Sequence, residues 1–203
     1  MALKNTADNR KFVSVLADGK LHMNVPTGTE GAVVREYETS DGKKGSKTEL
    51  VFTELSGKIS NIAFYDGEYG NQLQVTIVDG EEEPVVLSLG TQSNFGEDAM
   101  KKLPNVKLDE EVRIVPFAFE DDKGKMKKGI SIYQDKRKIT NYFYDPENQC
   151  NINGYPEPKK NTKSSDQWKA YFLETRLFLV DFTTKFFKLD EVTTSSAKDT
   201  TPF

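Results

Sequence analysis

The chain has 203 residues, 30% of them charged, with a formal net charge of −4 and a mean hydropathy of −0.62. That length suits one domain with appendages and is enough to bury a proper core. No apolar run approaches the ~20 residues of a membrane span, the start lacks a signal-peptide hydrophobic region, and the single Cys150 excludes an internal disulfide, so the expected location is the cytoplasm.

In chain order, the first elements read as a hairpin: Phe12 to Leu16, a turn at Asp18-Gly19, then Leu21 to Val25. A strand is expected over Ala32 to Tyr37, followed by a loop from Ser40 to Lys47 that holds no apolar residue. Lys47 to Leu55 is ambiguous between strand and helix. From Gly57 the pattern sharpens into strands over Lys58 to Tyr65, Gln72 to Ile77 and Val85 to Leu89. In the second of these, Leu73, Val75 and Ile77 alternate with Gln72, Gln74 and Thr76, the period-2 pattern of a half-buried strand. Ser93 or Asn94 then caps a short helix over Gly96 to Leu103, stopped by Pro104.

A meander follows. Val112 to Phe119 turns at Asp121-Asp122-Lys123-Gly124, Lys127 to Tyr133 turns at Gln134-Asp135-Lys136, and Arg137 to Tyr144 closes the set. Between Lys123 and Lys138 lie seven Lys/Arg against the lone acid Asp135, a segment of +6 in a chain of −4. Phe117, Phe119, Tyr133 and Tyr142 interleave with these charges. Positive charge alternating with flat rings on a sheet suits a flexible polyanion whose bases are free to stack.

Strand, strand, strand, helix, strand, strand is the order of an OB-fold, a five-stranded, partly open barrel that binds oligonucleotides on its strand 2–3 face and its first and last hairpin loops. The first of those loops holds Tyr69 and the last is the basic stretch Glu120 to Lys127. The expected fold is therefore mainly β. Residues 1–56 supply extra N-terminal strands packed on a barrel of residues 57–146, which carries one short internal helix. Residues 147–165 read as a linker and 166–189 as an amphipathic C-terminal helix opened by a capping box of Ser164 and Gln167. Residues 190–203 read as a disordered tail.

No enzyme site is visible. With one histidine, His22, and one cysteine, neither a Cys/His zinc cluster nor a His-based triad can be assembled. Gly42 to Lys47 lacks the spacing of a phosphate loop. The acidic clusters Glu81-Glu82-Glu83, Asp109-Glu110-Glu111 and Glu120-Asp121-Asp122 sit at turns or strand edges, where solvated charge is the ordinary explanation. The expectation is a binding protein with no metal and no cofactor.

The order of the central elements, Val115-Pro116-Phe117 with Gly129 to Gln134, and the terminus Asp199-Thr200-Thr201-Pro202-Phe203 resemble single-stranded-DNA-binding proteins of the OB-fold type, those of bacteriophages above all. The likeness covers residues 57–144 and the last five. It implies sequence-independent coating of template strands during replication, recombination and repair. It also implies a C-terminal tip, here Asp199, Pro202 and Phe203, that docks on partners such as polymerase or helicase; bacterial members end in a more acidic Asp-Asp-Asp-Ile-Pro-Phe. The residues expected to contact DNA are Tyr65, Tyr69, Lys123, Lys125, Lys127, Lys128, Tyr133, Lys136, Arg137, Lys138 and Tyr142. Tyr133 alternates with Ile130 and Ile132 and is the foremost stacking candidate. Phe117 and Phe119, sharing parity with Val115, are expected to be buried. An RNA-binding or protein-docking barrel remains the alternative, as does self-association.

Overall fold

The computed structural model describes residues 10–39, 42–67, 70–159 and 161–189. In chain order its elements are β1 (Lys11–Val15), β2 (Leu21–Asn24), β3 (Val33–Glu38), β4 (Lys44–Phe52), β5 (Leu55–Gly67), β6 (Gly70–Val78), β7 (Val85–Gly90), α1 (Asn94–Lys102), β8 (Glu111–Glu120), β9 (Met126–Gln134), β10 (Arg137–Lys138), β11 (Tyr144–Asp145), β12 (Cys150–Asn151) and α2 (Ser165–Phe187). The protein is mainly β. Among the described residues, ten strands form one mixed sheet in the order β10-β9-β8-β5-β6-β7-β1-β2-β4-β3. β1 and β7 run parallel, and every other ladder of this sheet is antiparallel. The N-terminal strands thus continue the sheet of the central ones. The stretch ambiguous between strand and helix is β4, and Lys44 to Lys47, expected in a loop, already belong to it. Among the described residues, no helix is long and apolar enough to cross a membrane.

The alternation read in β6 holds through Gln74: Leu73, Val75 and Ile77 are buried, together with Leu87 and Leu89 of β7, Val112 and Ile114 of β8, and Ile130 and Ile132 of β9, but Thr76, expected on the solvent side, is buried as well. α1 lays Phe95, Ala99 and Met100 on this inner face. Its start is fixed by the Ser93 hydroxyl, which accepts the Gly96 N–H at 3.0 Å.

No hydrogen-bonded ladder closes the sheet into a barrel among the described residues, because the two strand edges that would meet are occupied. The far edge of β7 is taken by β1. On the far edge of β9, the Asp98 carboxylate accepts the Ile130 N–H at 2.8 Å and the Lys102 ammonium donates to the Ile130 carbonyl at 2.5 Å. Ile139 N–H then donates to Ile132, and β10 pairs with Tyr133 and Gln134. A contact without a ladder forms instead. The β1–β2 turn places Gly19, at φ 74°, so close to β8 that a Cβ there would run into the Ala118 amide and the Phe117 carbonyl carbon. Only glycine satisfies both the backbone angle and the space.

The third meander strand is shorter than expected. After the two-residue turn at Asp135 (φ 50°) and Lys136 (φ 61°), only Arg137 and Lys138 pair with β9. The chain then leaves the sheet, because the Tyr142 N–H goes to the Lys101 carbonyl at 2.8 Å, one of the carbonyls left over at the end of α1. The segment expected as a linker packs on the body: Tyr155 lies 5.5 Å from Phe143 and 5.7 Å from Phe178 of α2, ring to ring. α2 begins with the expected capping box of Ser164 and Gln167. It buries Thr175, Leu179 and Thr183, while Phe172, Leu173, Leu177 and Phe186 stay exposed.

A buried charge network binds β2, β3 and β4. Glu49 is 2% exposed and accepts two hydrogen bonds from Arg35 (2.8 and 2.7 Å). Its Oε2 is also 2.9 Å from His22 Nδ1, and His22 Nε2 is 3.1 Å from Asp18. The Arg35 hydrogen bonds outweigh desolvation and, with His22, hold the Glu49 carboxyl at about 2. Because that folded-state value lies below the ordinary 4.5, the stabilisation is complete above 4.5 and is lost as pH falls toward about 2. Urea midpoints of Glu49→Gln should therefore fall at neutral pH, by an amount equivalent to on the order of 2 kcal/mol of unfolding free energy, less than for a fully buried pair since Arg35 is partly exposed. They should also drop less steeply than wild type on acidification. Parallel acid limbs for the two proteins would contradict this assignment.

Candidate nucleic-acid interface

The ladder registers sort the sheet into an inner and an outer face. On β8, Val112, Ile114 and Pro116 point inward, so Arg113, Val115, Phe117 and Phe119 point outward. Opposite them on β9 stand Tyr133, Ser131, Gly129 and Lys127. Phe117 and Phe119 are therefore not core, contrary to expectation. Phe119 is 55% exposed, and the two ring centroids are 5.7 Å apart. Val115 misled the parity argument: it is an outward valine, and Pro116 is the inward residue. Phe117 lies over Gly129, where a Cβ would come 2.8 Å from the ring.

The turn beside these rings is built around Asp121. Its carboxylate accepts the Lys125 N–H at 2.9 Å and the Lys123 N–H at 3.0 Å, with Lys127 3.6 Å away. These bonds, the Lys125 amide foremost, hold the Asp121 carboxyl below its usual range. The side chains of Lys123, Lys125 and Lys127 are left in solvent around that carboxylate. Next to them a groove of about 390 Å³ runs between α1 and the outer face, lined by Phe117, Lys127, Lys128, Asn94 and the acids and lysines of α1. Its carboxylates are neutralised internally: Glu97 by Lys101 at 2.6 Å and Arg176 at 3.8 Å, Asp98 by Lys102 at 2.7 Å. Glu120 and Asp122 remain exposed at the turn.

The other expected contacts are distributed differently. Lys136, Arg137 and Lys138 are exposed at the β9–β10 turn, at the opposite end of β9 from Lys127. Those nine residues of strand separate the two basic clusters by roughly 26 Å at about 3.3 Å per residue. Tyr133 points outward as expected and is half-buried, but the Arg113 guanidinium lies 4.4 Å from its ring centre. Its surroundings are mixed in charge, a groove shared with Asp109, Glu110, Glu111 and Asp135 as well as Lys58 and Lys136. Tyr65 is half-buried on the outer face, opposite Gln72 and folded over Gly67. Tyr142 is not at the surface groove. It packs 5.2 Å from Phe143, 5.6 Å from Phe182 and 5.9 Å from Phe186, beneath α2. Tyr69 and the tip residues Asp199, Pro202 and Phe203 lie outside the described residues.

The structure thus brings together Lys123, Lys125, Lys127 and Lys128 with two rings, Phe117 and Phe119, that the sequence reading had assigned to the core. Pro116, immediately before them, was the available signal. A proline inside a strand marks a position where the ladder bond is absent, and that is also an inward position here. Among the described residues, no group of three or more His, Cys, Asp and Glu side chains is placed to hold a metal ion. No family model matches the chain, and neither a curated protein nor a solved structure matches it.

Proposed function

We propose that this chain binds single-stranded DNA with little sequence preference and protects strands exposed during replication and recombination. The observation that carries this reading is the Phe117–Phe119 pair standing outward beside the lysines of the β8–β9 turn. Rings stack on bases of any identity, and lysines track the phosphates and release their counterions. The pairings of β5 with β6 and β8, of β6 with β7 and of β8 with β9 support an OB-like arrangement with the hairpin in the ligand-binding position. In this reading the unclosed sheet and the pairing of β1 with β7 make it a variant of that barrel. In the same reading Asp199, Pro202 and Phe203 form a docking tip for replication proteins.

Two measurements test this. Replacing Lys123, Lys125, Lys127 and Lys128 by Ala should flatten the slope of log affinity against log salt by up to about 0.7 per lysine on single-stranded DNA. An unchanged slope would move the site elsewhere, and equal wild-type affinity for duplex DNA would remove the reading altogether. Matched RNA, titrated alongside, distinguishes the nucleic acid preferred.

Separately, Phe119→Ala should weaken binding by about 1–3 kcal/mol if the ring carries a base. Its salt slope should be untouched, and so should its unfolding midpoint, because the ring is more than half exposed. Wild-type affinity in this variant would leave charge as the sole contact.

A further inference from the structure

The outer face does not end at β7. Through the registers of β7, β1, β2 and β4 it continues from Val86 and Ser88 to Phe12 and Ser14, then His22, Val51 and Glu49. It ends on the β3–β4 hairpin with Val33, Arg35 and Tyr37 on one strand and Glu49, Lys47 and Gly45 on the other. Tyr37 lies flat on β4, because Gly45 beneath it has no side chain: a Cβ there would come 2.6 Å from the ring carbon Cζ and from the phenol oxygen. The Arg35 guanidinium is 5.9 Å and the Lys47 ammonium 5.7 Å from the ring centre. Tyr37 is 36% exposed and Lys47 stands in solvent.

The acids of this arm are elsewhere. Glu36 and Glu38 belong to the opposite face, with Lys44 3.9 Å from Glu38. Glu49 is consumed by Arg35 and His22. What the outer face of the arm offers is a ring between two cations, the same chemistry as Phe117, Phe119 and Lys127.

A continuous set of contacts fixes one platform relative to the other. Gly19 abuts Phe117 and Ala118, its neighbour Asp18 holds His22, His22 holds Glu49, Glu49 holds Arg35, and Arg35 flanks Tyr37. We propose that the β3–β4 arm is a second stacking-and-charge platform for the same nucleic-acid strand. Tyr37 takes a base, Lys47 takes a phosphate, and the path extends from the β8–β9 hairpin across the β1–β2 turn. This rests on the reading of the β8–β9 face as a single-strand site.

The test uses the full chain with Tyr37→Ala and Lys47→Ala combined, titrated with oligothymidylates of about 6 and about 20 nucleotides, one near the lower end of the site sizes of such folds and the other beyond the upper end. On the long oligomer the variant should lose about 5-fold or more in affinity and about 0.7 in salt slope, and its occluded length should shorten. The short oligomer should bind as in wild type, and Tyr37→Phe with Lys47→Arg should restore the long-oligomer affinity. Unchanged long-oligomer affinity and length overturn the arm's role while leaving the β8–β9 site standing. Equal losses on both oligomers overturn the extension, since the arm would then belong to the primary site. A wild-type protein that binds neither oligomer removes both readings. Should the double variant fail to fold, Lys47→Ala alone reads the same salt slope from a solvent-exposed side chain.

Discussion

The pair of bonds from α1 to Ile130 decides the shape of this molecule. An edge strand presents a row of unpaired N–H and C=O groups and will pair with whatever strand arrives. Here Asp98 and Lys102, four residues apart on one helical face, take the donor and the acceptor of the same residue. Because Ile130 turns both groups toward the helix, it exchanges no ladder bonds with Pro116 across from it. The missing N–H of Pro116 therefore costs the β8–β9 ladder nothing, and the β5–β8 ladder has already ended at Leu55 and Ile114. With β9 closed to further pairing, the edge of β7 is left for β1, and the N-terminal strands enter the sheet there. One ion pair on a short helix thus accounts for both the open sheet and the place of the N-terminal arm.

The parts of this fold written in local sequence were legible. The alternation of β6, the caps at Ser93 and Ser164, the turn at Asp121 to Gly124 and the order of the central strands all depend on residues within a few positions of one another. What escaped is set by partners far along the chain. Tyr142 sits inside a basic, aromatic segment and reads as surface, but its ring belongs to Phe182 and Phe186, 40 and more residues later. Glu49 is an ordinary strand glutamate until Arg35 and His22, 14 and 27 residues away, surround it. Lys44 to Lys47 look like loop because the hydrophobic pattern is absent. They are strand because β3 needs a partner, and their own pairs, from Glu38–Lys44 to Arg35–Lys47, lie largely in solvent.

The same distinction governs the candidate site. Charge was readable as composition, since seven basic residues in sixteen stand out in an acidic chain. Which rings accompany the charge was not, because parity on β8 turns on whether Val115 or Pro116 faces inward. Hydrophobicity favours the valine. The ladder favours the proline, whose position without a backbone donor must coincide with Ile130 facing α1. A rule about side chains lost to a rule about backbone hydrogen bonds, the stronger constraint once a strand edge is buried.

An acidic protein can still present a basic surface if its carboxylates have partners of their own. Around the β8–β9 turn Asp121 is occupied by backbone amides, and Glu97 and Asp98 by lysines of the same helix. On the arm Glu49 is held by a guanidinium and an imidazole. In each case the charge is spent within a few ångströms, so the field reaching solvent is that of the remaining lysines, offset at the turn by the exposed Glu120 and Asp122. The Glu49 network has a second consequence. Because it joins Asp18 at the β1–β2 turn to Arg35 on the arm, and that turn is wedged on Phe117, the arm cannot swing without breaking buried charge contacts or lifting Gly19 off β8. In the proposed reading, two ring platforms fixed relative to each other form a preorganised track, and a flexible strand laid on them loses entropy only on its own side.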